Sequence, residues 1–352
     1  MRRRAVRGTA YSSRMEDVAR RAGVSMASVS RVINNPEKVS PDIRGRVEAA
    51  LKELRYLPNG AARALAARRS HTVGTVVPTL GAAIFAAGVE ALQRRLEFAG
   101  HALLVANSRY DPDLEARQVR TLIERGVDGV VLVGHQRPPE TYRLLEETGI
   151  PYVCTYTYVA GEGAPPCVGF DHAAAARQLV EYLIDLGHRR FGVVTSPFGE
   201  NDRIAGRLRG ILAAIEAAGL PVPKVVEAAY AIADGRSAFR SLLAATPKVT
   251  AIVCTTDAHA IGALAEARAQ GIAVPGRLSV TGFDDLELAV NADPPLTTVR
   301  VPAQEIGERA ADFLLARIAG RPVPAALELT TTLAVRASTG RAVSGDWTTA
   351  AK

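Results

Sequence analysis

Arg203 and Arg207 stand four residues apart just behind Asn201, so on a helix starting there they share one face near its N-terminus. A helix start with two guanidiniums is a good anion site, because the first backbone N–H groups point the same way. Asp257 and Asp284 add carboxylates that can accept from hydroxyl groups. A second set of residues suits a different partner. Ser25 can cap a helix whose outward residues are Met26, Ala27, Ser28, Ser30, Arg31 and Asn34. All but one of these are small or hydrogen-bonding, as a helix entering the DNA major groove requires. One set fits a small anion; the other fits the edges of base pairs.

The elements that carry the second set are legible. Ser13 and Glu16 have capping-box spacing, which starts a helix at Arg14, and Met15, Val18, Ala19 and Ala22 share a face of it. Gly23 supplies a turn, and the helix capped by Ser25 turns Val29, Val32 and Ile33 inward. Ser40 caps a third helix with Pro41 in its first position, and Ile43, Val47, Leu51 and Leu54 pack it back on the other two. The pattern is a helix-turn-helix; a plain three-helix bundle without a DNA role is the alternative. Charge favours the former. Residues 1–70 hold 16 Lys and Arg against 6 Asp and Glu, whereas residues 71–352 hold 27 against 30. The basic excess sits entirely at the front, where a phosphate partner explains it. Arg2, Arg3, Arg4 and Arg7 form a basic arm over residues 1–12 that is expected to be disordered, with a contact role or none.

Three ordered stretches now carry a resemblance. They are Asp17-Val18-Ala19 with Ala22-Gly23-Val24-Ser25 and Val29-Ser30-Arg31-Val32; then Tyr56-Leu57-Pro58-Asn59 with Ala62-Arg63 and Leu65; then Asp284-Asp285 with Pro294-Pro295-Leu296-Thr297-Thr298. Over residues 13–340 the chain resembles the lactose/galactose repressor (LacI/GalR) family. The resemblance implies a headpiece over 13–58, a hinge over 59–70, and a two-lobed body over 71–340 like a type I periplasmic binding protein. It also implies a dimer that reads a pseudo-palindromic operator under the control of a small metabolite. Met26 and Ala27 match positions that vary with operator sequence. Asn59 can cap a short Ala-rich hinge helix, Gly60 to about Ala67, and Leu65 matches a leucine that wedges into the minor groove. The alternative is a flexible tether with Leu65 packed on the body.

From His71 onward short apolar strands alternate with helical stretches. The strands are Val73–Val77, Ala102–Ala106, Gly129–Val133, Pro151–Thr155, Phe191–Thr195, Ala251–Cys254, Leu278–Thr281 and Thr298–Val301. This is an α/β fold with parallel sheets covered on both faces. By the resemblance, lobe 1 takes about 71–163 and 298–323, and lobe 2 about 164–297 and 324–340. The crossings then fall near 161–169, 295–300 and 322–326. Ligands in open parallel sheets sit beyond the carboxyl ends of strands. The candidates are therefore Phe85, Tyr156, Asp171, Arg203, Arg207, Thr256, Asp257, Phe283 and Asp284. In the family pattern Arg207 and Asp284 match groups that hold ligand oxygens. Tyr156 stands where many sugar-binding members have aspartate, Thr256 where they have asparagine, and Ala303 where some have an aromatic lid. Losing a carboxylate while keeping two arginines shifts the pocket toward positive, and a small hydroxylated anion such as a sugar acid satisfies these groups together. The alternative is Arg203 pointing to water and Arg207 alone holding a neutral ligand.

Other classes find little support. A periplasmic solute receptor without a DNA role shares the body fold, but no secretory h-region opens the chain and a headpiece precedes the body. An oxidoreductase would need G-x-G-x-x-G at a strand-to-helix turn, and neither that nor a P-loop occurs. His101, His135, His172, His188 and His259 are scattered and read as solvated or packed. Cys154, Cys167 and Cys254 have no paired spacing, so no disulfide framework or zinc site is indicated. The chain is expected to be cytoplasmic, without cofactor, membrane span or enzymatic activity. The segment 341–352 lacks a leucine heptad, so a dimer with a disordered tail is expected rather than a tetramer.

Overall fold

The computed structural model describes residues 13–57, 69–199 and 201–343. The chain divides into two compact units, residues 1–70 and 71–352. The expected basic arm, the hinge with Asn59, Arg63 and Leu65, and the chain from residue 344 onward lie outside the described residues.

The first unit holds helices α1 (Met15–Ala22), α2 (Met26–Asn34) and α3 (Pro41–Glu53), with a short 3-10 turn at Pro36–Lys38. Val18, Ala19, Ala22, Val29, Val32, Val47 and Ala50 are buried together, so the apolar faces read from the sequence meet. Ser25 does cap α2, accepting from the Ser28 N–H at 3.2 Å. Two expected caps differ. α1 starts one residue later than expected, and the Arg14 N–H is taken by Asp17 at 2.8 Å. The Ser13 hydroxyl instead donates to the Leu54 carbonyl at 2.7 Å, tying the start of the unit to the end of α3. Ser40 occupies the cap position of α3 without a side-chain bond.

The second unit contains two six-stranded sheets. The first runs β11-β5-β4-β3-β1-β2, all parallel: β1 (Thr72–Val77), β2 (Ala102–Asn107), β3 (Gly129–Val133), β4 (Tyr152–Thr155), β5 (Cys167–Gly169) and β11 (Ala326–Glu328). The second runs β12-β10-β9-β8-β6-β7: β6 (Phe191–Thr195), β7 (Lys224–Glu227), β8 (Ala251–Cys254), β9 (Ser279–Asp284), β10 (Thr297–Arg300) and β12 (Thr332–Ala334). Only β12 in that sheet is antiparallel to its neighbour. Strands such as β3, β6 and β8 are buried at every position, which is why they read as unbroken apolar runs.

Helices α4 (Ala83–Phe98), α5 (Pro112–Glu124) and α6 (Pro139–Glu147) follow strands of the first sheet. Helices α7 (His172–Asp185), α8 (Asp202–Ala217), α9 (Ile232–Ala245), α10 (Asp257–Ala269) and α11 (Glu287–Val290) belong to the second sheet, and α12 (Ala303–Ile318) returns to pack on α4.

The crossings between lobes shift from those expected. β5 pairs with β4, so the chain leaves the first lobe after Gly169 and not within 161–169. β10 pairs with β9, so 298–300 belongs to the second lobe and the return follows Arg300. β11 pairs with β5, so the last crossing follows Glu328. The strands next to these crossings, β5, β10 and β11, are three or four residues long, too short to show a pattern. The tail also begins later than 341, because the Ala342 N–H donates to the Leu186 carbonyl at 2.9 Å.

Candidate functional site

A cavity of about 490 Å³ lies between the lobes. Its lining comes from segments that follow β1, β2, β4, β6, β7, β8 and β9, all at carboxyl ends. Of the nine expected residues, Phe85, Tyr156, Arg203, Arg207, Thr256 and Asp284 line it.

Arg203 and Arg207 are buried on consecutive turns of α8, whose start is capped by Asn201 accepting from the Ile204 N–H at 3.3 Å. Arg207 is held on every side. Its Nε donates to His172 Nδ1 at 3.2 Å, Nη1 to the Thr255 carbonyl at 2.6 Å and Nη2 to Asp284 Oδ1 at 3.1 Å. Because His172 accepts at Nδ1, its Nε2 carries the proton and donates to the Tyr156 carbonyl, 2.8 Å away. Burial and the neighbouring Arg207 charge push the His172 pKa well below its ordinary value, so the ring stays neutral. Arg203 pairs with Asp202 at 2.8 Å.

Asp284 sits on strained backbone, with φ of +126°, followed by Asp285 at +58°. The surroundings over-determine this turn. Asp285 binds Arg300 and Arg336, each at 2.6 Å, and Asp257 Oδ2 accepts the Leu286 N–H at 2.8 Å. Burial raises the Asp284 carboxyl to about 6, with Arg207 opposing the shift. Tyr156 also has a positive φ, +55°, and its hydroxyl donates to the Ile84 carbonyl at 2.8 Å. Its ring meets Phe85 edge-on at 5.3 Å. Thr256 caps α10, accepting from the His259 N–H at 3.3 Å.

Three expected residues do not line the cavity. Asp171 caps α7, accepting from Ala173 and Ala174 N–H groups at 2.7 and 3.0 Å. Asp257 is fully buried, and beyond the Leu286 bond it accepts from the Thr298 hydroxyl at 2.6 Å. It shapes the turn that presents Asp284. Phe283 alternates with Asp284 along β9, so its ring faces the core and carries Arg207 over it. Each arginine already has a protein carboxylate, Asp202 for Arg203 and Asp284 for Arg207.

Tyr110 and Tyr230 line the cavity and were not among the expected residues. Tyr110 follows β2, whose carboxyl end the strand rule points to directly. Tyr230 follows β7, an edge strand with half its residues exposed and no apolar run to mark it. His172 reads in the sequence as solvated or packed, because nothing local links it to an arginine 35 residues later.

Comparison with known proteins bears on both units. Residues 14–59 match the model for bacterial regulatory proteins of the lacI family, and residues 180–339 match a periplasmic binding protein-like domain. The HTH-type transcriptional regulator GntR of Escherichia coli K12 is 32% identical over 325 residues, covering 91% of this chain and 96% of that protein. CelR of Thermobifida fusca is 35% identical, covering 92% and 97%. Among solved structures, a lac repressor dimer bound to operator and an anti-inducer superposes with a TM-score of 0.84 at 27% identity, covering 93% and 99%.

The chain belongs to the lacI family. It is a DNA-binding transcriptional regulator with a helix-turn-helix at its front and a two-lobed α/β body behind. The receptor reading without a DNA role therefore falls away. In this lacI-family headpiece, α2 is the second helix of the helix-turn-helix. Ser25, Met26, Ala27, Arg31 and Asn34 are exposed on it, and Ser28 and Ser30 are half-buried, while Val29 and Val32 face the core. Ser28 lies 3.0 Å from the Ser25 hydroxyl and Asn34 donates to Ser30 at 3.2 Å, so Met26, Ala27 and Arg31 are the least engaged of the set.

Proposed function

We propose that this regulator is a homodimeric repressor whose hold on a two-fold operator is controlled by a small hydroxylated anion, such as a sugar acid, in the interlobe cavity. The observation that carries the ligand class is the cavity wall. Among its described residues it presents Arg203 and Arg207 at the start of a sixteen-residue helix but only one carboxylate, Asp284. Asp202 is not part of that wall. Among the described residues, Arg207 keeps one unbonded hydrogen on each Nη and Arg203 bonds through Nη1 alone, so donors remain for a ligand carboxylate. The partial positive end of α8 adds to them. Asp284 and the Tyr110, Tyr156 and Tyr230 side chains offer a wall for hydroxyl groups and a sugar-ring face. The volume is in the range of small-molecule sites.

On the DNA side, α2 carries readout through Met26 and Ala27 against thymine methyls and Arg31 against a guanine edge or phosphate, with Ser25, Ser28, Ser30 and Asn34 beside them. Asn59, Arg63 and Leu65 form the hinge contacts, with Leu65 as the wedge. A dimer fits because two headpieces related by a two-fold axis read a two-fold site. The protein acts in the cytoplasm, where its DNA is, and catalyses nothing.

Selection of bound duplexes from a random pool tests the operator claim: a pseudo-palindrome is expected, and enrichment of asymmetric sites alone contradicts it. Light scattering at micromolar concentration gives a dimer, and a monomer or tetramer contradicts it. A melting-temperature screen of aldonates, uronates and their neutral parent sugars tests the ligand class. Shifts from neutral compounds alone would sink it, and the solved CelR–cellobiose complex shows that a relative takes such a ligand.

A further inference from the structure

Beside the cavity, the two lobes grip each other. The loop Gly134–Arg137 follows β3 in the first lobe, and it meets Asp202, the first residue of α8 in the second. The His135 backbone N–H donates to Asp202 Oδ2 at 2.7 Å, and the imidazole Nδ1 lies 2.7 Å from the same oxygen. Gln136 Nε2 donates to the Gly199 carbonyl at 2.9 Å. The other Asp202 oxygen, Oδ1, takes Arg203 Nη1 at 2.8 Å.

The first-lobe loop is itself braced. Arg137, with its side chain 1% exposed, pairs with Glu115 at 2.8 Å and donates to the carbonyls of Val133 and Gly134. Gly134 has φ of +75°, and a Cβ there would stand 2.5 Å from Asp202 Oδ1 and closer still to Arg203 Nη1. Only glycine permits this approach without displacement. Burial works against a charge on Asp202, but Arg203 and the bonds from His135 outweigh it and hold the carboxyl well below the usual range.

We propose that Asp202 is a positioning residue through which lobe closure sets Arg203 in the cavity wall. The first-lobe loop orients the carboxylate, and the carboxylate orients the guanidinium. With the lobes apart, Asp202 loses its two donors from His135, and the Arg203 head loses its fixed partner. A ligand group that needs Arg203 then binds the closed form better than the open form, which is the differential a conformational switch requires. This coupling rests on reading Arg203 as a ligand-facing group, but the contact itself can be tested with no ligand at all.

The test is hydrogen–deuterium exchange and arginine modification by phenylglyoxal on the ligand-free full chain. Wild type is compared with Asp202→Asn, Gly134→Ala and Arg203→Gln. In wild type, the amides of 134–137 exchange slowly and Arg203 reacts slowly. Asp202→Asn and Gly134→Ala each speed exchange over 134–137 by about ten-fold or more, and phenylglyoxal labelling of Arg203 rises with it, while β6 and β8 stay protected. Arg203→Gln, at the far end of the chain of contacts, leaves 134–137 protected. Fast exchange of the loop in wild type, or unchanged Arg203 labelling in both Asp202→Asn and Gly134→Ala, overturns the proposal. Loss of protection in β6 and β8 marks unfolding of that variant, and the substitution on the opposite lobe then decides. If no sugar acid binds the wild type, the ligand reading fails while these exchange results stand by themselves.

Discussion

The guanidinium carbon of Arg207 lies 3.8 Å from the centroid of the Phe283 ring. Phe283 is 1% exposed and does not line the cavity, yet it forms the floor on which the cavity-lining arginine rests. Ring and guanidinium attract as cation and π-face, an interaction worth roughly 0.5–2 kcal/mol when desolvated. Phe283→Leu keeps an apolar side chain but removes the flat face. Effector affinity should then fall by about two- to thirty-fold, the equivalent of that energy. Calorimetric titration checks this, and unchanged affinity would return Phe283 to a packing role alone.

Gly88 faces Tyr156 across the first lobe. A Cβ at Gly88 would fall well inside contact distance of the Tyr156 hydroxyl, and 3.2 Å from the Ala303 carbonyl. Gly88→Ala should therefore destabilise the body by about 1–3 kcal/mol through overpacking. That outweighs the roughly 1 kcal/mol by which alanine favours a helix interior. Tyr156→Phe alone loses one hydrogen bond, about 0.5–1.5 kcal/mol. The double variant should cost less than the sum, because the hydroxyl that collides has gone. Urea unfolding of all four proteins gives the coupling, and strict additivity would contradict it.

Stability should also depend on pH through two buried carboxyls. Burial, with Asp284 nearby, raises Asp257 to about 7, and burial raises Asp284 to about 6, against an ordinary 3.8. The folded state then holds these protons more tightly than the unfolded chain. Their contribution is fully present below pH ~4 and is lost as pH rises through ~6–7, at up to ~1.4 kcal/mol per unit for each group. Asp257→Asn can keep both bonds, its Oδ1 accepting from Leu286 and its Nδ2 donating to Thr298. The variant should match wild type near pH 4 and be the more stable of the two by pH 8. A wild-type-minus-variant difference that stays flat between those values would show that Asp257 does not titrate there.

Much of this molecule can be read from local pattern. The Ser25 cap, the buried strands and the four-residue spacing of Arg203 and Arg207 all report on neighbours within one element. What escapes the sequence is set by distant pairing. β5 and β11 are three-residue strands, and β11 exists because it pairs with β5 across a gap of more than a hundred residues. Asp257 reads as a cavity carboxylate from its place after a strand, but its partners Thr298 and Leu286 come from elsewhere and turn it inward. His135 and His172 look unremarkable in sequence because Asp202 and Arg207 reach them only through the folded second lobe.

On the DNA side, Arg31 is exposed on α2, pairs with no carboxylate among the described residues, and has the length to reach a base edge. Arg31→Ala should weaken binding to the selected operator by roughly 1–3 kcal/mol. Competition gel shifts against scrambled duplex check it. Equal operator affinity in the variant would assign readout to other residues of the helix.

In the proposed function, Arg203 gives the cavity its preference for an anion. The most direct test is calorimetric titration of wild type and Arg203→Gln with an aldonate or uronate that raises the wild-type melting temperature, alongside the neutral parent sugar. Wild type should bind the anion at least about ten-fold more tightly than the neutral sugar, as one charged hydrogen bond implies, and Arg203→Gln should erase that preference. Equal affinity of wild type for the two, or a preference that survives the loss of Arg203, would contradict the account.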